Sequence, residues 1–200
     1  MGDAQEVKEL FIKVSDELFF VNGYDNVGVA DICKKAGKAK GLFFYYFKKK
    51  DNIVKLILES QISDMSHKLK STLLAIGLNG VEKMSFLMNA LISKDSQGPR
   101  ALYYFKDNTL PEWVDSLAHT LKDKYIFPVI CEIVEEIAKE GGYKNLLKEQ
   151  TEIIYLGISA FMHKNFFKMT DEEYYKSAVS AISQTLENAI GCPRGTIVIK

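Results

Sequence analysis

Residues 32–50 read ICKKAGKAKGLFFYYFKKK. Gly37 divides the stretch, and the spacing predicts two short helices on either side of it, about Val29–Ala36 and Ala39–Phe47. Two short helices joined by a turn of about three to four residues form a helix–turn–helix, whose second helix is free to enter a major groove. A helix that short needs an apolar anchor. Phe43 and Phe47, four residues apart on one face, are assigned to it. Lysines crowd the same segment: Cys33 to Lys55 holds eight Lys and one Asp, a local charge of +7. The whole chain has 26 basic and 26 acidic residues, so the remainder carries −7. A neutral chain with its cations gathered in one segment presents a face suited to polyanions, nucleic acid above all.

Upstream, Val7, Phe11, Val14, Leu18 and Val21 recur at helical spacing, which predicts one buried face on a helix from about Ala4 to Asn22 that Gly23 ends. Downstream, a long helix is expected from about Lys50 to Ala75, with Ile53, Ile57, Ile62, Met65, Leu69, Leu73 and Ile76 as apolar positions, ended by residues 77–80. Further helices are expected at about Val81–Ser93, Pro99–Lys106, Glu112–Thr120 and Leu121–Glu140, the last kinked at Pro128. The stretch IIYLGISAFM, residues 153–162, is apolar nearly all round and predicts a helix covered on more than one side. Asp171 to Ile190 carries two stripes. Tyr175, Val179, Ile182, Leu186 and Ile190 are large, while Ala178, Ala181, Thr185 and Ala189 are small. One stripe suits the home core and the other a second subunit. Thr196–Ile199 reads as a strand, and nothing in the sequence gives the tail, residues 193–200, a role.

The fold class expected is therefore all-α. Its parts are a three-helix N-terminal domain at 1–48 (motif about 28–47), a helical domain at 49–192, and the tail. No apolar run approaches the ~18 residues that span a bilayer. The N-terminus lacks the basic-then-apolar pattern of a signal peptide. Three cysteines, Cys33, Cys131 and Cys192, include no CxxC pair and fit a reducing cytoplasm. GxxxxGK[ST], GxSxG and GxGxxG are all missing, which argues against an enzyme. His67, His119 and His163 are far apart and lack metal-ligand spacing, so neither metal nor cofactor is expected.

At this point the residues match a family. Leu18-Phe19, Gly23-Tyr24, Asp31-Ile32, Ala36-Gly37, Lys40-Gly41, Tyr46-Phe47 and Lys50, over about residues 10–54, resemble the DNA-binding domain of the tetracycline-repressor (TetR) family of bacterial regulators. The resemblance implies an all-α homodimer. Its N-terminal helices bind operator DNA, its C-terminal core binds a small molecule, and its last two helices pair between subunits. The DNA-binding set is Lys38, Lys40, Gly41, Leu42, Tyr45, Tyr46 and Lys50. Lys38, Lys40 and Lys50 are assigned to phosphates and Tyr46 to the DNA backbone. Leu42 and Tyr45 are candidates for base edges, Leu42 against a thymine methyl. The chain departs from the family at Val27-Gly28, Ala39 and Phe44, each time losing a hydroxyl suited to a helix cap or a phosphate. An aromatic and methionine cluster is the candidate pocket for an apolar or aromatic effector: Phe86, Met88, Tyr103, Tyr104, Phe105, Trp113, Phe127, Tyr155 and Phe161. The expected function is a ligand-responsive transcriptional regulator, a repressor released by its effector. The alternative is a helical ligand-binding or adaptor protein with weakened DNA binding.

Overall fold

A computed structural model describes residues 2–75, 77–92, 98–105 and 110–200, and among these the structure is all-α, with nine α-helices. They are α1 Gly2–Asn22, α2 Val29–Ala36, α3 Lys40–Phe47, α4 Lys50–Ala75, α5 Gly80–Ile92, α6 Glu112–Tyr125, α7 Phe127–Glu140, α8 Lys148–Lys164 and α9 Glu172–Ile190. Two 3₁₀ segments, Arg100–Tyr104 and Phe166–Thr170, also form. The expectations at Ile76, Ser93 and Lys106 lie outside the described residues. The chain forms two compact units, Met1–Met65 with Gln97–Lys122, and Ser66–Ser96 with Asp123–Lys200. These divide the chain elsewhere than at the expected 48/49 boundary.

The first unit is built on an aromatic cluster. Phe11 of α1 meets Phe43 and Phe47 of α3 edge-on, with ring centroids 5.5 and 5.9 Å apart. All three rings are buried, so the two phenylalanines do anchor the short helix. The buried seam of α1 is Phe11, Val14, Ser15 and Phe19, with Val21 76% exposed, contrary to the expectation that put Val21 inside. Four-residue steps from Phe11 through Ser15 to Phe19 keep one ridge, from which the 4-3-4-3 count drifted at its end. Gly37 closes α2 with φ 62°, and Lys38 N–H reaches back to the Cys33 carbonyl at 3.0 Å. That left-handed cap favours glycine.

A segment distant in sequence completes this unit. The Asp16 carboxylate of α1 accepts the Tyr104 hydroxyl, the Gln61 amide at 3.2 Å and the Arg100 guanidinium at 3.0 Å. Gln61 in turn accepts Ala101 N–H at 2.9 Å, and Tyr24 N–H donates to the Tyr104 carbonyl at 2.8 Å. Tyr104 is fully buried, and burial together with Asp16 pushes its hydroxyl pKa far up.

In the second unit α5 lies against α7 at the closest approach a backbone allows. A Cβ on Gly80 would stand 2.6 Å from Ile137 Cγ1 and 2.9 Å from Ile137 N. Gly80 N–H also donates to Glu140 at 2.8 Å, so this glycine begins α5 and seats it as well as ending the loop before it. Pro128 does not kink a helix, as the sequence suggested. α6 ends at Tyr125, and Pro128 stands in the first turn of α7, where a missing N–H costs nothing. On α9 the large stripe is buried together with Ala178, while Ala181 and Thr185 are exposed. On α8 only Thr151 is buried, and Ile153, Leu156 and Phe161 are exposed, Ile153 at 70%. One side of the apolar run at residues 153–162 is thus uncovered in the single chain.

Thr196–Ile199 forms no strand among the described residues. It docks instead on side chains of α5 and α9.

Candidate nucleic-acid interface

The candidate interface starts from α2 and α3. The N-cap of α2 is Gly28, which has no side chain to offer. Asp31, three residues on, compensates by accepting Gly28 N–H at 2.8 Å, half of a capping box. The Gly-x-x-Asp spacing is legible in the sequence, and its meaning appears once Gly28 is seen at the helix start. Ala39 caps α3 with backbone geometry alone, φ −70° and ψ 145°. Both helices therefore start correctly without the hydroxyls that the family pattern supplies.

The cations divide into tied and outward groups. Lys35 pairs with Glu17 at 2.9 Å and Lys49 with Asp51 at 3.1 Å. Lys34, Lys38, Lys40 and Lys48 are exposed. On α3, Gly41, Phe44 and Tyr45 are exposed, Tyr45 at 78%, while Leu42 and Tyr46 are half-buried. The structure thus gathers Lys38, Lys40, Gly41, Leu42, Tyr45 and Tyr46 on and beside one short helix. Tyr45 and Tyr46 are in edge contact at 5.1 Å. An exposed Phe44 flanked by exposed Lys40 and Lys48 gives this helix an apolar tip between charges.

Lys50 is placed differently from its sequence assignment. Its ammonium donates to the Tyr24 carbonyl at 2.8 Å and the Val27 carbonyl at 3.0 Å, and lies 3.8 Å from the centroid of the Tyr24 ring. Burial lowers its pKa, with Asp25 and Asp51 opposing. The Tyr24 hydroxyl donates to Asp51, and that bond together with Lys49 holds the Asp51 carboxyl below the usual range. Lys50, Tyr24 and Asp51 therefore clamp the α1–α2 loop to the start of α4. Its place in a lysine run gives no sign of these contacts.

The join between α3 and α4 carries the one non-glycine residue with positive φ among the described residues, Lys48 at φ 58° and ψ −39°. Lys49 N–H donates to the Phe47 carbonyl at 2.6 Å, closing a γ-turn of the rare positive-φ kind around Lys48. A side chain in that region costs on the order of 1 kcal/mol, a cost that glycine avoids. Lys48→Gly is accordingly expected to raise the melting temperature by roughly 2–4 °C and at the same time weaken DNA binding through the lost charge. Thermal unfolding followed by circular dichroism checks the first effect, and a lowered melting temperature would show that the turn is unstrained. Beside this turn, Tyr46, Phe47, Lys48, Asn52, Lys55, Leu56 and Glu59 line an open cleft of about 360 Å³.

The effector candidates fall into both units. In the first, Tyr103 is 58% exposed, Tyr104 is buried on Asp16, and the half-buried Trp113 meets Phe105 edge-on at 6.4 Å. In the second, Phe127 and Tyr155 pair at 5.1 Å, and burial beside Asp123 pushes the Tyr155 hydroxyl pKa up. Met88 is buried, Phe86 is half-buried, and Phe161 is 37% exposed.

A short helix pair packed on α1, with an exposed cationic second helix, defines a helix–turn–helix protein carrying a helical C-terminal domain. Residues 11–57 match the family described as bacterial regulatory proteins, tetR family. The match spans the N-terminal helices of the chain, the helix–turn–helix included. Over 131 residues it is 25% identical to the HTH-type transcriptional regulator QacR of Staphylococcus aureus (strain Mu50 / ATCC 700699), covering 60% of this chain and 66% of that protein. Two solved structures share the fold at low identity. One is the transcriptional regulator FadR from Bacillus subtilis in complex with stearoyl-CoA, at TM-score 0.59 and 16% identity, covering 91% of this chain and 98% of that one. The other is a transcriptional regulator from Saccharomonospora viridis in complex with choline, at TM-score 0.63 and 15% identity, covering 93% and 98%.

Proposed function

We propose that the protein is a dimeric, ligand-responsive regulator of transcription, a repressor that binds operator DNA through α3 and leaves it when a small molecule binds. The observation that carries this reading is the exposed set on and around α3. Lys34, Lys38, Lys40, Lys48 and Tyr45 are all exposed, while Phe43 and Phe47 fix the other face of α3 in the core. Cations of this kind contact phosphates, and the exposure of Tyr45 supports a contact with base edges. Lys50 acts chiefly from within, holding the loop that sets the angle of the motif. The helical relatives with stearoyl-CoA and choline support a ligand-binding role for the C-terminal domain, and the aromatic residues Phe127, Tyr155 and Phe161 favour an apolar or aromatic effector. The exposed apolar residues of α8 and the small stripe of α9 support a homodimer. A cytoplasmic site of action and a non-enzymatic role fit the same reading.

The test is a salt titration of DNA affinity. Log affinity is expected to fall linearly with log salt, with a slope of roughly −0.9 per phosphate neutralised. Tyr45→Ala should leave that slope in place and change sequence preference. A protein that ignores duplex DNA at low salt would instead be the helical ligand-binding or adaptor protein.

A further inference from the structure

Residues 196–200 of the second unit sit on α5 and α9 as a bound peptide would. Ile197 N–H donates to the Glu187 carboxylate at 3.0 Å, and Val198 N–H donates to Ser85 Oγ at 3.3 Å. Asn89 meets the backbone twice, donating from Nδ2 to the Val198 carbonyl at 2.6 Å and accepting Lys200 N–H on Oδ1 at 2.7 Å. The Tyr175 hydroxyl donates to the Lys200 main-chain oxygen at 2.8 Å. Ile197 and Ile199 are buried at 2% and 9% exposure, with Val198 between them at 47%. This is the period-two alternation of a strand, with a side-chain amide standing where a neighbouring strand's peptide group would be.

We propose that the α5–α9 surface of this unit is a binding site for an extended peptide, and that its resident occupant is the chain's own tail, acting as a releasable clasp. Three features argue for a built site over incidental packing. Its polar groups come from two helices, Ser85 and Asn89 from α5 and Tyr175 and Glu187 from α9, and all four address main chain. Glu187 is 2% exposed, so its carboxylate depends on the donor that the tail supplies. Pro193, Arg194 and Gly195 join the clasp to the end of α9, with Gly195 at φ 81°, a turn that reverses the chain over the helix it has just left.

Release has a structural consequence. It would strip Glu187 of the Ile197 N–H and expose two isoleucines. α9 must then readjust around a buried carboxylate, so occupancy of the groove and the pose of α9 are linked. The opposite face of α9 carries Ala181 and Thr185.

The experiment uses a chain ended after Gly195 and a fluorescein-labelled peptide of residues 195–200, GTIVIK. Saturable binding of one peptide per shortened chain is expected, at least tenfold weaker binding to the intact chain, and at least a tenfold loss when Asn89→Leu is added to the shortened chain. A folded shortened chain that does not take up the peptide overturns the proposal. If the shortened chain fails to fold, amide exchange on the intact chain decides. Protection of the 197, 198 and 200 amides should be selectively lost in Asn89→Ala, and amides that exchange at the unstructured rate in the unmodified chain would overturn the site.

Discussion

Lys50→Ala is expected to lower the melting temperature of the chain by roughly 4–8 °C, corresponding to about 2 kcal/mol. The substitution removes the donor from two carbonyls, those of Tyr24 and Val27, and the cation from the Tyr24 ring. Hydrogen bonds to a charged group are worth about 1.5–3 kcal/mol each, and the half-exposed position of Lys50 reduces the sum. The loop that sets the α2–α3 pair against α4 then loses its clamp. DNA affinity should fall for all sequences alike, because the fault lies in how the motif is held and is not at a base edge. Thermal unfolding of the purified variant supplies the measurement. An unchanged melting temperature with weakened DNA binding would mean that Lys50 serves phosphates alone.

Charging the uncovered apolar surface of the second unit is expected to convert a dimer into a monomer. Ile153, Leu156 and Phe161 on α8 and Ala181 with Thr185 on α9 are exposed in the single chain. The same α9 buries Tyr175, Val179, Ile182, Leu186 and Ile190 at home together with Ala178 of the small stripe, which leaves Ala181 and Thr185 facing outward. A two-fold interface repeats each patch on both subunits, so one added charge per chain enters it twice, and like charges would meet across the axis. Ile153→Glu together with Ala181→Glu should therefore abolish dimerisation at micromolar concentration while leaving the helical content intact. Operator binding should fall by orders of magnitude, because two linked reading heads benefit from an effective concentration that single heads lack. Sedimentation velocity on the unmodified and doubly substituted chains reads this directly. A monomeric unmodified protein would contradict the assignment of α8 and α9.

The sequence made α2, α3 and α4 legible nearly to the residue, because Gly37 and the flanking apolar positions act locally. Phe43 and Phe47 were legible as core for the same reason. What escaped depends on contacts remote in sequence. Asp16 gathers Gln61, Arg100 and Tyr104 from positions 40 or more residues away, and no local pattern marks Tyr104 as part of the DNA-side unit. The sequence assigns Lys50 to a phosphate, and only the folded loop reveals its two carbonyl partners. Pro128 was misplaced because helix ends at residues 120–127 depend on tertiary packing, which shifted the break to Ile126. Thr196–Ile199 reads as a strand in the sequence; in the structure its residues alternate between buried and exposed, but their hydrogen-bond partners are side chains.

The central claim is that a pair of these chains reads a two-fold DNA site through α3. The most direct measurement is selection from a library of genomic DNA fragments on the immobilised intact protein at low ionic strength, followed by sequencing of what is retained. The account predicts an enriched inverted repeat whose half-site centres lie about one helical turn apart, ~34–36 Å, or a multiple of it. Retention of no fragments, or of fragments without any shared repeat, would contradict it.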